Sequence, residues 1–267
     1  MSLAAAEAAY RAGDLAGALG MLQTEVRTRP QDPKLRIFLA QLLMVMAQWE
    51  RAQNQLNVVA ELDALALPMA HTYRAAIQCE QLRTAVFEGQ RSPLVFGEPE
   101  PWIAQLIQAL SLAASSPTAA AELRAAAFEA APASRGSANG TAFEWIADAD
   151  SRLGPVLEVL LNAAYYWVPF QRIARIKIEA PTDIRDVVWL PAQFVWINGG
   201  EAMGLIPARY PGAGADTEPA LLLGRRTEWA ALGDEQYAGA GQKVLATDAA
   251  DFGLQDLREV IVEPTGA

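Results

Sequence analysis

The chain has one cysteine, Cys79, and one histidine, His71, among 267 residues. A lone thiol forms no intramolecular disulfide, and the pair falls short of the nitrogen and sulfur ligands a structural zinc ion needs. A Ser-His-Asp or Cys-His hydrolase requires its histidine beside the nucleophile. His71 and Cys79 are eight residues apart in a stretch that reads as helix. At ~1.5 Å per residue that separates them by ~12 Å along the axis, too far for proton transfer. The sequence also lacks the ~20 consecutive apolar residues of a membrane span and the basic-then-hydrophobic opening of a secretory signal. These absences imply a soluble protein of the reducing cytosol. Phosphate-cradling loops are missing as well. "GAGQKVL" (239–245) has neither Walker spacing nor a following Ser or Thr, and no glycine-rich turn joins a strand to a long helix, so no nucleotide or other cofactor is expected.

What is present is ordinary globular material, 52% hydrophobic and 19% charged, long enough to bury a sizeable core. The formal charge of −10 is uneven: residues 1–140 carry 11 Lys+Arg against 13 Asp+Glu, and residues 141–267 carry 10 against 18. An acidic surface repels phosphate backbones and anionic lipid, which argues against nucleic-acid and membrane partners.

The first half reads as helices that repeat. Leu15 and Ala18 precede Pro30, and thirty-four residues later Trp49 and Ala52 stand in the same phase. That is the tetratricopeptide period, in which a small alanine lets paired helices approach closely. The second repeat has Ala64 where the first has its helix-closing Pro30. Ala120 and Pro132 return to phase after 102 residues, but the slot between fails. Residues 1–132 are therefore expected to form a short TPR-like helical domain with an irregular middle.

At "ASRGSANGT" the texture changes. Residues 133–140 read as a linker and 141–267 as a mostly antiparallel β domain, closed or sandwiched, making the whole α+β. Five of the seven tryptophans lie here. "VLEVLLNAAYYWVPF" reads as strand, turn at Asn162, strand, with Tyr166 facing away from Tyr165 and Trp167. "RIARIKI" alternates, and "VWINGGEAM" reads as a hairpin turning at Asn198-Gly199-Gly200. The densest polar stretch is "EWIADADSRLGP" (144–155). If Asp148 and Asp150 sat on a strand, their carboxylates would converge and could hold a divalent cation. The commoner use of such residues is to accept backbone N–H groups and pair with Arg152.

Together "LVFGEPEPW", "FEWIADADSRLGPVLE", "YYWVPFQRI", "RDVVWLPAQFVWINGGEAMGLIPARYPG" and "RRTEW" resemble the ImpE family, also called TagJ, from about Ala8 to Val262. The resemblance implies a non-enzymatic adaptor of bacterial type VI secretion. It would associate with the contractile-sheath proteins TssB and TssC and with ClpV, the ATPase that dismantles the contracted sheath. The family's ClpV-engaging first helix corresponds to Leu3–Arg11, which nominates Leu3, Tyr10 and Arg11. Further candidate protein contacts are Glu98, Glu100 and Trp102, expected in a loop, and Asp148, Asp150 and Arg152 if they face solvent. No catalytic, cofactor or metal residue is assigned. A metal-dependent enzyme built on Asp148/Asp150 and a self-assembling scaffold remain the alternatives.

Overall fold

A computed structural model describes residues 3–214 and 216–264. The chain begins with paired helices: α1 (Leu3–Ala12), α2 (Leu15–Thr28), α3 (Pro33–Val45), α4 (Trp49–Leu62) and the longer α5 (Leu67–Phe87). Their boundaries follow from local chemistry. Asp14 opens α2 by accepting the Gly17 N–H at 2.8 Å, and Asp32 opens α3 by accepting those of Lys34 and Leu35, the usual N-cap solution for orphan amides. Pro33 follows as the first helical residue of α3, where its missing N–H is not needed. At Ala64, where the repeat lacks its proline, a short 3-10 turn (Ala64–Ala66) leads directly into α5. The small residues do what the repeat requires: Ala18 and Ala52 are fully buried, as is Leu15 almost entirely. α5 occupies the interval that breaks the period. After β1 (Leu94–Val95), α6 (Pro101–Leu112) and α7 (Pro117–Ala130) form another helical hairpin, with Ala120 buried inside it.

The second half contains β2 (Gly136–Ala138), β3 (Thr141–Phe143), β4 (Ile146–Asp148), β5 (Val156–Leu161), β6 (Ala164–Pro169), β7 (Ile173–Ile178), β8 (Trp189–Trp196) and β9 (Glu201–Pro207). Then come the short α8 (Pro219–Leu222), β10 (Thr227–Gly233), β11 (Gln236–Gly241), β12 (Val244–Thr247), β13 (Asp251–Gly253) and β14 (Glu259–Val262). Nine strands make one sheet in the order β1-β6-β5-β9-β8-β7-β14-β2-β3, and β13-β12-β4 and β10-β11 make two small ones. Pairing is antiparallel throughout except between β1 and β6. The β5–β6 turn places Asn162 and Ala163 at φ of 49° and 64°, and Gly199 takes φ of 80° between β8 and β9, as hairpin turns demand.

The large sheet is open rather than closed. One face packs against the helices in a core that joins Leu22, Leu42, Leu56 and Ile77 to Val156, Leu160, Trp167 and Trp189. The other face holds a second core with Leu157, Val159, Phe194 and Ile206 against Ile146, Leu245 and Leu257 of the small-sheet region. Strand β5 is buried on both sides, and its alternation deals successive residues to the two cores.

Two expectations change here. Residues 136–138 are not linker but β2, seated between β14 and β3. Its Gly-Ser-Ala sequence hides the strand because only Ala138 is buried in the second core and backbone pairing supplies the rest, and a Cβ on Gly136 would sit 1.9 Å from the Ile261 carbonyl oxygen. Trp102 is not in a loop: it lies in the first turn of α6 and is buried.

Because Ala52 packs with no exposed surface, Ala52→Leu should overfill the α3–α4 contact. The expected cost is about 1–3 kcal/mol, read as a lower urea midpoint with an unchanged slope.

Candidate functional site

The chemistry of the molecule is concentrated where the helices meet the sheet. Glu158 stands in the middle of β5, in "VLEVLL", and alternation turns it toward the helical side with no exposed surface. Its carboxylate accepts from Arg83 of α5 through Nε at 2.7 Å and Nη2 at 2.8 Å, from Lys243 Nζ at 2.9 Å and from the Tyr165 hydroxyl at 2.6 Å. Tyr165 in turn accepts the Trp167 indole N–H at 2.8 Å. Arg83 also donates to Glu80 at 3.2 Å and to the Arg209 carbonyl at 2.8 Å. Glu80 takes the indole N–H of Trp189 at 2.9 Å, and that ring lies 5.7 Å from Trp49 and 5.9 Å from Tyr73. Arg209 donates to the carbonyls of Val45, Met44 and Leu222, which caps the end of α3 with a guanidinium.

The cluster continues into the Asp-x-Asp stretch. Lys243 Nζ donates to Asp148 Oδ2 at 2.6 Å, while Asp148 Oδ1 accepts from the Tyr210 hydroxyl at 2.9 Å and the Asp150 amide at 3.0 Å. Asp150 Oδ1 accepts the amide and Nε of Arg152, both at 2.9 Å, and Oδ2 accepts Arg152 Nη2 at 2.5 Å and the Gly239 amide at 2.9 Å. Gly154 closes this turn at φ of 55°, where the Phe128 ring leaves no space for a Cβ. Asp148 and Asp150 are therefore buried and face inward, and the surface-contact role considered for them fails. Their oxygens are occupied by protein donors, leaving none aimed at a shared cation. Among the described residues no group of three His, Cys, Asp or Glu side chains is arranged to hold a metal ion.

The charges shift one another in opposite senses. Burial alone would raise Glu158, but Arg83 and Lys243 outweigh it and hold the carboxyl well below the usual range. For Asp148 burial wins over Lys243, and its pKa rises to about 6. Lys243 is raised despite its own burial, because Asp148 and Glu158 favour the ammonium form. Arg209, with carbonyls as its close partners, is pulled down by burial to about 10 and stays charged at neutral pH.

The other candidate residues fall into separate places. Leu3, Tyr10 and Arg11 lie together on a groove of about 590 Å³, also lined by Phe38 of α3 and by Asp183 and Ile184 in the loop before β8. Glu98 is exposed. Glu100 accepts from the Trp102 indole at 2.9 Å, from Arg172 at 3.1 Å and from Gln171, so it fastens the start of α6 to the segment after β6. His71 is exposed on α5. Cys79 is buried, faces the Ala163 carbonyl and has its thiol pushed up to about 11 by burial, which makes it a poor nucleophile.

Sequence reasoning reached Asp148, Asp150 and Arg152 but missed Arg83, Glu158, Lys243, Glu80 and Arg209. One signal was available: a single acid in an otherwise apolar strand is expensive unless paired. Nothing local identified its partners, which come from positions 75 and 85 residues away.

Glu158→Gln should leave Arg83 and Lys243 without their shared anion and lower stability by about 3–5 kcal/mol, measured by urea denaturation at pH 7. Asp148 gives a prediction of opposite sign with pH. Its folded pKa, about 6, lies above the unfolded value, so its favourable contribution is complete at low pH and is lost as pH rises through 6. The stability cost of Asp148→Asn should accordingly shrink by about 1 kcal/mol between pH 5 and pH 8. A cost that grows over that interval would contradict the assignment.

Comparison with known proteins accounts for both halves. Residues 140–261 match the family model described as ImpE protein, and residues 9–77 match a tetratricopeptide-repeat model. The type VI secretion system accessory component TagJ of Pseudomonas aeruginosa is 52% identical over 263 residues, spanning 98% of this chain and 92% of that protein. A crystal structure of a Vibrio parahaemolyticus protein, 29% identical, superposes with a TM-score of 0.86 over 97% of each chain. A repeat half welded by buried charges to an ImpE-type sheet, matched end to end by a TagJ protein, makes this chain a member of the ImpE family.

Proposed function

We propose that this chain is a non-enzymatic accessory component of a bacterial type VI secretion machine, working in the cytoplasm by binding the sheath proteins TssB and TssC, the ATPase ClpV, or both. The observation that carries this reading is the 52% identity to a TagJ accessory component along 98% of the chain. The side chains support a binding role over a chemical one. The carboxylates that could have held a cation are spent on Lys243, Tyr210, Arg152 and backbone amides, and the only histidine stands apart from any charged relay. No helix among the described residues is long and apolar enough to cross a membrane.

The surface best suited to a partner is the groove beside α1. It presents apolar Leu3, Tyr10 and Phe38 together with Arg11, Lys34 and Asp183, a mixture that fits one face of a helix or peptide. Repeat arrays commonly bind through such inter-helix grooves.

The test is binding of purified TssB–TssC complex and, separately, of the ClpV N-terminal domain to the full chain and to a version starting at Gly13. Loss of ClpV binding alone on truncation would place recruitment in α1. Because Ala6 is fully buried, a second variant, Tyr10→Ala with Arg11→Glu, keeps the helix and should weaken the same interaction about tenfold or more, the loss typical of a contact hot spot. Absence of binding to either preparation by the intact chain would overturn the proposal.

A further inference from the structure

A cleft of about 420 Å³ opens in the sheet half where the chain forks. Beyond the Gly136–Phe143 pair that ends the β2–β3 ladder, one arm runs back to α7 and the other runs forward into β4. Arg135 and Glu144 pin the arms together at the fork with an ion pair of 2.6 Å, and the cleft lies between them. Its walls are apolar: Phe128 and Pro132 near the end of α7, Ile146 and Ala147 on β4, and Pro155 just before β5. Trp145 stands at the rim with 39% of its surface in water.

Two hydroxyls line this apolar space with hydrogen-bonding capacity to spare. Ser134 is only 4% exposed, and among the described residues its hydroxyl has no hydrogen-bond partner. Nor is it sealed inside the protein, because the enclosed side-chain atoms without partners belong to Gln105, Arg172 and Arg185. The Ser134 hydroxyl therefore opens onto the cleft. Ser151 Oγ accepts the Tyr237 amide at 2.9 Å, which leaves its own proton to donate. A buried hydroxyl left unpaired is costly, and an acceptor atom placed against it removes that cost. Charge is excluded from the same space. Asp148 is the one charged residue in the lining, and its carboxylate is occupied by Lys243, Tyr210 and the Asp150 amide. Among the described residues no Lys, Arg or His lines the cleft. An anionic ligand would find no counter-charge there and a cationic one no free carboxylate, so desolvation disfavours both.

We infer that this cleft binds a neutral small molecule with a planar aromatic body and a hydrogen-bond-accepting oxygen such as a carbonyl. The volume falls in the range of about 300–1,000 Å³ that small-molecule sites occupy, and apolar walls with a few placed polar groups are their usual make-up. Two aromatic rings, Phe128 and Trp145, are in the lining and favour a planar aromatic body. The oxygen accepts from Ser134, the one group in the cleft that is both buried and unpaired. None of these residues belongs to the groove beside α1, so the inference adds a ligand site to the adaptor and does not rest on partner binding.

Coumarin, a neutral aromatic lactone, is the probe that tests this. The full chain labelled with 5-fluorotryptophan gives a fluorine resonance for each of its seven tryptophans, and Trp145→Phe identifies the one at the rim. Titration with coumarin should move that resonance more than the other six, with a Kd of about a millimolar for a molecule of this size. Coumarin-3-carboxylate, an anion at pH 7, should bind about tenfold more weakly or worse. Ser134→Ala should weaken coumarin about fivefold without lowering the melting temperature, since the hydroxyl has no protein partner to lose. Ala147→Phe, which fills the cleft, should abolish the shift. A Trp145 resonance unmoved by about 5 mM coumarin, a Ser134→Ala chain that binds like the parent, an Ala147→Phe chain that still binds, or a carboxylate that binds as tightly as the lactone would overturn the inference.

Discussion

Glu158 is the constraint around which the rest is arranged. A carboxylate with no exposed surface must find compensating charge and hydrogen bonds or neutralise itself. It finds Arg83 on a helix and Lys243 between two strands. The helical layer can therefore dock on the sheet in one way, with α5 over β5. Apolar burial supplies the driving force for that docking, as the shared core of Leu, Val and Trp side chains attests, but apolar contacts tolerate sliding. The ion cluster does not. Buried ionic groups add little net stability compared with a well-packed apolar alternative, and their effect here is to single out one relative placement of the layers. On the opposite face of the sheet Ile146, Leu245 and Leu257 close the second core, and Lys243, bonded to both Asp148 and Glu158, ties that region into the same ion cluster.

The fold was legible in the sequence wherever periodicity or turn chemistry carries it. The repeat phase of Ala18 and Ala52 located two helical hairpins, and Asn162 and Gly199 located two strand turns. The alternation of Ile176 and Ile178 with Arg175 and Lys177 gave the exposed face of β7. Sequence missed what is set by distant pairing. The strand at 136–138 has a linker's composition because Ala138 alone of its three residues is buried, and the open sheet edge at β1 is made by two residues, Leu94 and Val95. The candidate site shows the same division. Asp148, Asp150 and Arg152 were visible as a polar knot, and their mutual pairing follows a local rule. Their burial, and their link through Lys243 to Glu158 and Arg83, depends on contacts across most of the chain.

The polar residues thus separate into two kinds. Inside, each carboxylate is consumed by a named donor, and the result is fixed geometry without spare chemistry. Outside, a groove of mixed charged and apolar side chains runs along α1.

Arg83 and Glu80 give the helical half one further property. Tetratricopeptide arrays are usually modular, since each repeat contacts only its neighbours and units can be added, removed or transplanted. That freedom is most restricted at α5. Moved onto a different scaffold, this helix would carry a guanidinium and a carboxylate on the face meant for burial, with no Glu158, Trp189 or Arg209 carbonyl to receive them. The helices before α5 are tied to the sheet half by Arg209 at the end of α3 and by Trp49 of α4 against Trp189, and α5 is bound to it by buried charge.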